Sequence, residues 1–275
     1  MDNLTNSIDQ VVQENALPHE WPKEVLSELK NIEVKNNNRS DLRKIPFVTI
    51  DGKDAKDFDD AVFCEANNDG FVLQVAIADV AEIVEANSSI DKEALLRGTS
   101  IYFPKKVIPM LPEEISNNLC SLIPNKDRNV LVCKINFSKE GEINSYEFSE
   151  AVINSHKRFT YNEVEFIKQN KDINLSEQIL HSINALEKLT KQLLLNRSKR
   201  YALEIESSEP TLSFGNEGNI SEIFIPKRLF AHQMIEEAMI SANICAAKFI
   251  KKYLGFGIYR ICLLYTSDAA DDKCS

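Results

Sequence analysis

Hydrophobic positions follow two regimes along the chain. From Ile45 onward they come in short runs and alternations. IPFVTI, AVFCEA and FVLQVAIADV are β-rich segments, the last two joined by the turn-forming Asn67-Asn68-Asp69-Gly70. In the third, Leu73, Val75 and Ile77 alternate with smaller or polar residues. VLVCKINFS and SYEFSEAVINS form a second pair across Lys139-Glu140-Gly141-Glu142. The second half turns helical. Thr160-Tyr161-Asn162-Glu163 is a capping-box sequence. Ile179, Ile183, Leu186, Leu189 and Leu193 mark a long helix after Ser176. Phe230, Met234, Ala238, Ala242, Cys245 and Phe249 share one stripe of a last helix, predicted from about Arg228 to Tyr253. Short strands are predicted at TLSF and ISEIFIP.

Residues 1–20 read as a frayed lead-in. A short helix is predicted after Pro22, with Val25, Leu26, Leu29 and Ile32 as its stripe. EVKNNNRSDLRK reads as a polar loop. DKEALLRGTSIYF starts as a helix, and PKKVIPMLPEEIS, with Pro104, Pro109 and Pro112, reads as an ordered irregular loop. Hairpins first and helices later, without an internal repeat, predict an α+β fold: a mixed or antiparallel sheet flanked by helices.

Composition narrows the class. The chain has 275 residues, 43% hydrophobic and 27% charged, which excludes a disordered chain. No apolar run reaches the roughly 18 residues a membrane helix needs, and no secretory signal is visible, so a cytoplasmic protein without a membrane partner is expected. The net charge of −10 repels polyanions, so a nucleic-acid partner would need a local basic groove or a bound cation. Cys64, Cys120, Cys133, Cys245, Cys262 and Cys274 show neither CxxC nor zinc spacing and are expected as reduced core thiols without disulfide partners.

Candidate chemistry concentrates in TIDGKDAKDFDDA, which places Asp51, Asp54, Asp57, Asp59 and Asp60 between two predicted strands. Such a cluster of like charges is unfavourable unless a positive group sits among them. Phe58 inside the cluster suggests that part of the loop faces inward, against the alternative of a solvated acidic turn. The spacing fits neither an EF-hand nor a DxDxT phosphatase. Oxygen-only ligands select a hard cation, Mg²⁺, Mn²⁺ or Ca²⁺; what remains is a carboxylate cage for Mg²⁺, and such cages usually serve phosphoryl chemistry.

TIDGKDAKDFDDA resembles the first signature of the RNB catalytic domain of the ribonuclease II and ribonuclease R exoribonucleases. VAIADV, TSIYFPKKVIPMLPEEISNNLCSLIPNKDR, EAVINSHKRFTY and HQMIEEAMISANICAAKFI resemble family segments in the same order, across about residues 17–260. The resemblance implies Mg²⁺-dependent degradation of single-stranded RNA from the 3′ end, releasing nucleoside 5′-monophosphates. It implies that Asp51, Asp57, Asp59 and Asp60 are the catalytic-centre aspartates and metal ligands, with two ions bound, and that Asp54 is not a ligand. It implies that Tyr102 packs on the 3′-terminal nucleotide. A second stacking aromatic would fall near Ile205 or Glu206, and neither is aromatic. Glu236 matches a family glutamate in the RNA path; of the adjacent Glu236 and Glu237, one is expected at the site and one in solvent. His156 and Arg158, and Arg197, Lys199 and Arg200, are local basic spots, read either as solvated charge or as phosphate contacts; Arg158 and Arg200 are the expected RNA contacts. A monomer is expected.

The expected organisation is a lead-in with a helix over 1–44, a partial RNB catalytic domain over 45–261, and a non-native tail over 262–275, where the family pattern gives way to ICLLYTSDAADDKCS. A fragment lacking the family's later arginine-bearing segment is expected to be weak or inactive. The alternatives are a non-catalytic RNA-binding module of the same family and, on the carboxylates alone, a small-molecule phosphatase.

Overall fold

The computed structural model describes residues 3–34, 38–104, 106–169, 175–199, 210–215 and 219–257. Its strands are β1 (Ser40–Asp41), β2 (Val48–Asp51), β3 (Asp60–Ala66), β4 (Gly70–Ala78), β5 (Ile101–Phe103), β6 (Lys106–Ile108), β7 (Asp127–Ser138), β8 (Ile143–Asn154), β9 (Lys157–Thr160), β10 (Thr211–Phe214) and β11 (Ile220–Phe224). Its helices are α1 (Asn3–Glu14), α2 (Lys23–Leu29), α3 (Val80–Ile83), α4 (Ser89–Arg97), α5 (Tyr161–Gln169), α6 (Glu177–Lys199) and α7 (Phe230–Leu254), with a π turn at Ile115–Leu119.

Seven strands make one mixed sheet in the order β1-β8-β7-β4-β3-β2-β9. The β1–β8 and β2–β9 pairs are parallel and the others antiparallel. The β3–β4 turn is set by Asn67, whose side-chain oxygen accepts from the amides of Asp69 and Gly70 at 2.9 Å each. Gly70 follows at φ +148°, and a Cβ there would lie 2.1 Å from the Phe137 carbonyl oxygen, so β7 approaches too closely for any side chain.

Alternation along the strands sorts two cores. Val62, Leu73, Val75 and Ile135 face α5, α6 and α7, where Val164, Ile183, Leu186, Leu189, Met234 and Ala238 cover them. Ala61, Ala76, Val130, Val132 and Ile153 face the opposite layer, with Val25 of α2, Ile90 of α4 and Ile115 of the π turn. The sheet is therefore buried on both faces, the α+β arrangement expected from the order of hairpins and helices.

Three local expectations are corrected. Residues 1–20 are not a frayed lead-in: Asn3–Glu14 is helical, because Leu4, Ile8 and Val12 recur every four residues and dock on Ile101, Phe103 and Ile108 of the β5–β6 ribbon. Lys106 adds an ion pair to Asp9 at 2.8 Å. The proline-rich stretch is not wholly irregular: it contains β6, between Pro104 and Pro109, and the start of the π turn that follows Pro112. The polar loop before Ile45 holds the two-residue β1, which β8 captures as a sheet edge.

Cys64, Cys120, Cys133 and Cys245 are buried and free, while Cys262 and Cys274 lie outside the described residues, as does the expected tail at 262–275. Among the described residues no helix is long and apolar enough to cross a membrane.

Candidate active site

The aspartate loop links the end of β2 to the start of β3, so Asp51 and Asp60 are fixed by the sheet at its two ends. Phe58 turns inward to the second core. Its amide donates to Ser121 Oγ at 3.0 Å, and that hydroxyl donates to the Lys56 carbonyl at 2.9 Å. The Leu122 amide donates to the Phe58 carbonyl at 2.9 Å, and the Ala78 amide to the Asp59 carbonyl at 2.9 Å. The parallel register of β2 with β9 sets Arg158 opposite Thr49 and Thr160 opposite Asp51. Arg158 Nη2 donates to the carbonyls of Gly52 and Lys53 at 2.6 and 2.8 Å.

The carboxylates feel one another. Burial, then the charge of Asp60, pushes Asp51 up to about 7, with Arg158 opposing and Asp59 and Asp57 adding to the rise. Burial and Asp59 push Asp60 up to about 6. Asp59, nearer solvent, is raised by partial burial and by Asp57. Asp54 is exposed at the loop surface.

The structure adds a residue that sequence reading treated only as part of a capping box. The Tyr161 hydroxyl is pushed up to about 12 by burial and by the charges of Asp51, Asp60 and Glu236, which places the phenol among these acids. The His232 ring stacks on it, with centroids 3.9 Å apart and planes 18° from parallel. His232 Nδ1 accepts from the Leu229 amide at 3.1 Å, and Glu165 accepts from the Ala231 amide at 2.8 Å, so α5 and α7 meet at this ring pair. A tyrosine one residue past the basic strand was the available signal, but only the fold brings it to the loop.

Glu236 and Glu237 separate in a way the sequence did not indicate. Glu237 is not in solvent: it is 4% exposed and paired with Arg197 of α6 at 3.0 Å. Glu236 lies on the carboxylate side and pairs with Arg228. Tyr102 stands on the separate β5–β6 ribbon, 72% exposed. His156 contacts the Arg43 carbonyl at 3.1 Å. Arg200, Ile205 and Glu206 lie outside the described residues.

The donor set suits a hard divalent cation. Asp51 Oδ2 is buried without a hydrogen-bond partner, and oxygen is the only ligand type the loop aspartates offer. Among the described residues no three acid, His or Cys side chains converge as a finished coordination shell. Mg²⁺ does not need one, because it keeps waters and takes one or two carboxylates together with substrate phosphates.

A family model, the RNB domain, matches residues 39–272. The chain belongs to the RNB family. It is 44% identical over 259 residues to ribonuclease R of Vibrio parahaemolyticus, covering 91% of this chain and 31% of that protein. It is 42% identical over 264 residues to ribonuclease R of Escherichia coli, covering 93% and 32%. Among solved structures, Mycoplasma genitalium RNase R in complex with ribose-methylated single-stranded RNA matches with a TM-score of 0.86 at 32% identity, over 91% of this chain and 40% of that one. The chain thus spans about a third of the length of the curated relatives it matches.

Proposed function

We propose that this chain carries the catalytic carboxylates of a 3′→5′ exoribonuclease that hydrolyses single-stranded RNA to nucleoside 5′-monophosphates in a reducing, cytoplasmic setting. The observation that carries this reading is the set of neighbouring aspartates, Asp51, Asp57, Asp59 and Asp60, on a loop pinned to the sheet of an RNB-family chain. The Mycoplasma relative was solved with single-stranded RNA, which supports RNA as the substrate class.

The four aspartates would hold two Mg²⁺ or Mn²⁺ ions. Bound there, the ions supply Lewis-acid stabilisation of the phosphoryl oxygens and a water of lowered pKa. The chain's own residues do the rest. The Tyr161 phenol keeps its proton at neutral pH and can donate it in a hydrogen bond to a phosphate oxygen. Glu236 and the aspartates together repel any polyanion not accompanied by cations, which ties RNA entry to metal loading. Tyr102, exposed on its ribbon, offers a ring face that accepts every base alike.

The test incubates this chain, and the longer polypeptide that contains it, with 5′-labelled oligoribonucleotide and Mg²⁺. The expected products are a ladder shortening from the 3′ end and free 5′-mononucleotides, slower from the shorter chain. Asp59→Asn is expected to lower the rate by roughly 10²–10³. Internal cleavage products, or an Asp59→Asn protein as fast as its parent, would overturn the assignment.

A further inference from the structure

Among the described residues, four buried side-chain polar atoms have no hydrogen-bond partner: Thr49 Oγ1, Asp51 Oδ2, Ser155 Oγ and Arg158 Nε. Two lie on β2, one on β9 and one just before β9, so all four sit around the strand pair beneath the aspartate loop. Arg158 is the residue that reaches from this layer into the loop. Both hydrogens of its Nη2 are committed, one to the Gly52 carbonyl at 2.6 Å and one to the Lys53 carbonyl at 2.8 Å. Its Cζ lies 5.5 Å from the centroid of the Phe58 ring.

We infer that Arg158 is a positioning residue that holds the aspartate loop in shape, and that phosphate binding is not its role. The inference rests on the reading of this loop as the catalytic centre. Like charges on a peptide loop push it open. Two pins oppose that push: Ser121 holds Lys56 and Phe58, and Arg158 holds Gly52 and Lys53. Asp57 and Asp59 flank the Ser121 pin, and Asp51 precedes the Arg158 pin. A guanidinium suits the task because it carries Nη2, with two hydrogens fixed in its plane, farther from the backbone than lysine carries its ammonium. The Nη2 group here faces backbone, so a phosphate could meet Arg158 only through Nη1.

Lysine therefore separates the two roles. Arg158→Lys keeps the charge a phosphate needs and loses the reach and fixed geometry of Nη2 that the loop needs. The loop supplies its own reporters, since Lys53 and Lys56 are trypsin sites. The experiment measures tryptic cleavage at Lys53 and Lys56 in metal-free, RNA-free protein. It also measures Mn²⁺ affinity by electron paramagnetic resonance and the salt dependence of RNA binding. Both Arg158→Lys and Arg158→Gln are expected to speed cleavage at these two sites about tenfold, with cleavage elsewhere and the melting temperature little changed. Mn²⁺ binding should weaken about three- to tenfold in both, and the slope of log K against log salt should stay that of the parent. The inference is overturned if Arg158→Lys matches the parent in proteolysis while Arg158→Gln lowers the salt slope by about 1, the mark of a lost phosphate contact. If Arg158→Gln does not fold, Arg158→Lys decides alone through loop cleavage. That readout involves neither RNA nor metal, so its outcome is independent of whether Asp59→Asn abolishes hydrolysis.

Discussion

The Ser121 hydroxyl accepts a hydrogen bond from the Phe58 amide at 3.0 Å across 63 residues of chain. The same oxygen donates to the Lys56 carbonyl, and Ser121 is fully buried. Replacing it with alanine leaves a buried N–H and a carbonyl without partners. Ser121→Ala is expected to cost about 1–3 kcal/mol in urea denaturation at pH 7, a large effect for removal of one oxygen atom. A cost below about 0.5 kcal/mol would mean the loop is held by its strands alone.

The aspartate cluster makes the cation-free protein sensitive to alkali in a definite direction. Asp51 and Asp60 are raised to about 7 and about 6 from an ordinary 3.8, chiefly by burial. Between these limits the folded protein retains protons that the unfolded chain has released, so stability falls as pH rises. The contribution is whole below about pH 4 and is lost as pH climbs through 6 to 7. With a chelator present, the melting temperature should decline from pH 5 to pH 8, and Asp51→Asn should flatten that decline. Equal slopes for the two proteins would refute the assignment to Asp51.

Much of this was legible in the chain because the signals are local. Leu73 and Val75 alternate with Ala76 and Ala78 toward opposite cores, as period-two patterning requires. Phe58 among the aspartates marked an inward-facing loop, and it packs inward. What escaped depends on distant partners. The α1 stripe of Leu4, Ile8 and Val12 is diluted by polar residues and becomes a helix face only against Ile108. Arg158 reads as a solvated charge or an RNA contact until the β2–β9 register puts it beside Gly52 and Lys53. Tyr161 and His232 are far apart in the chain, and no periodicity joins them.

The two adjacent glutamates of α7 should respond unequally to substitution. Glu237 is buried against Arg197, so Glu237→Ala strands a partly buried guanidinium and opens a gap between α6 and α7. A loss of about 2–4 kcal/mol is expected, toward the lower end because Arg197 retains some solvent. Glu236 and Arg228 are both well exposed, and Glu236→Gln should change stability by less than about 1 kcal/mol. Parallel thermal melts check both, and similar losses at the two positions would show that the burial contrast does not govern α7.

The capping box at the start of α5 carries the opposite pH sign from the aspartate loop. Glu163 accepts from the Thr160 amide at 2.6 Å and from its hydroxyl at 2.8 Å, while the Glu163 amide donates back to Thr160 Oγ1 at 3.2 Å. The backbone and side-chain bonds from Thr160 hold the Glu163 carboxyl below its ordinary 4.5. Its stabilising effect is therefore complete above about pH 4.5 and fades as acid protonates the folded group. Glu163→Gln and Thr160→Ala are each expected to cost about 0.5–2 kcal/mol at pH 7. Because α5 begins directly after β9, the cap also fixes where Tyr161 leaves the sheet, beside the acids. The Glu163→Gln deficit should shrink as pH is lowered from 7 to 3, since the parent then loses the same charge. A deficit that stays constant over that interval would show that the ionised carboxylate contributes nothing beyond a neutral amide.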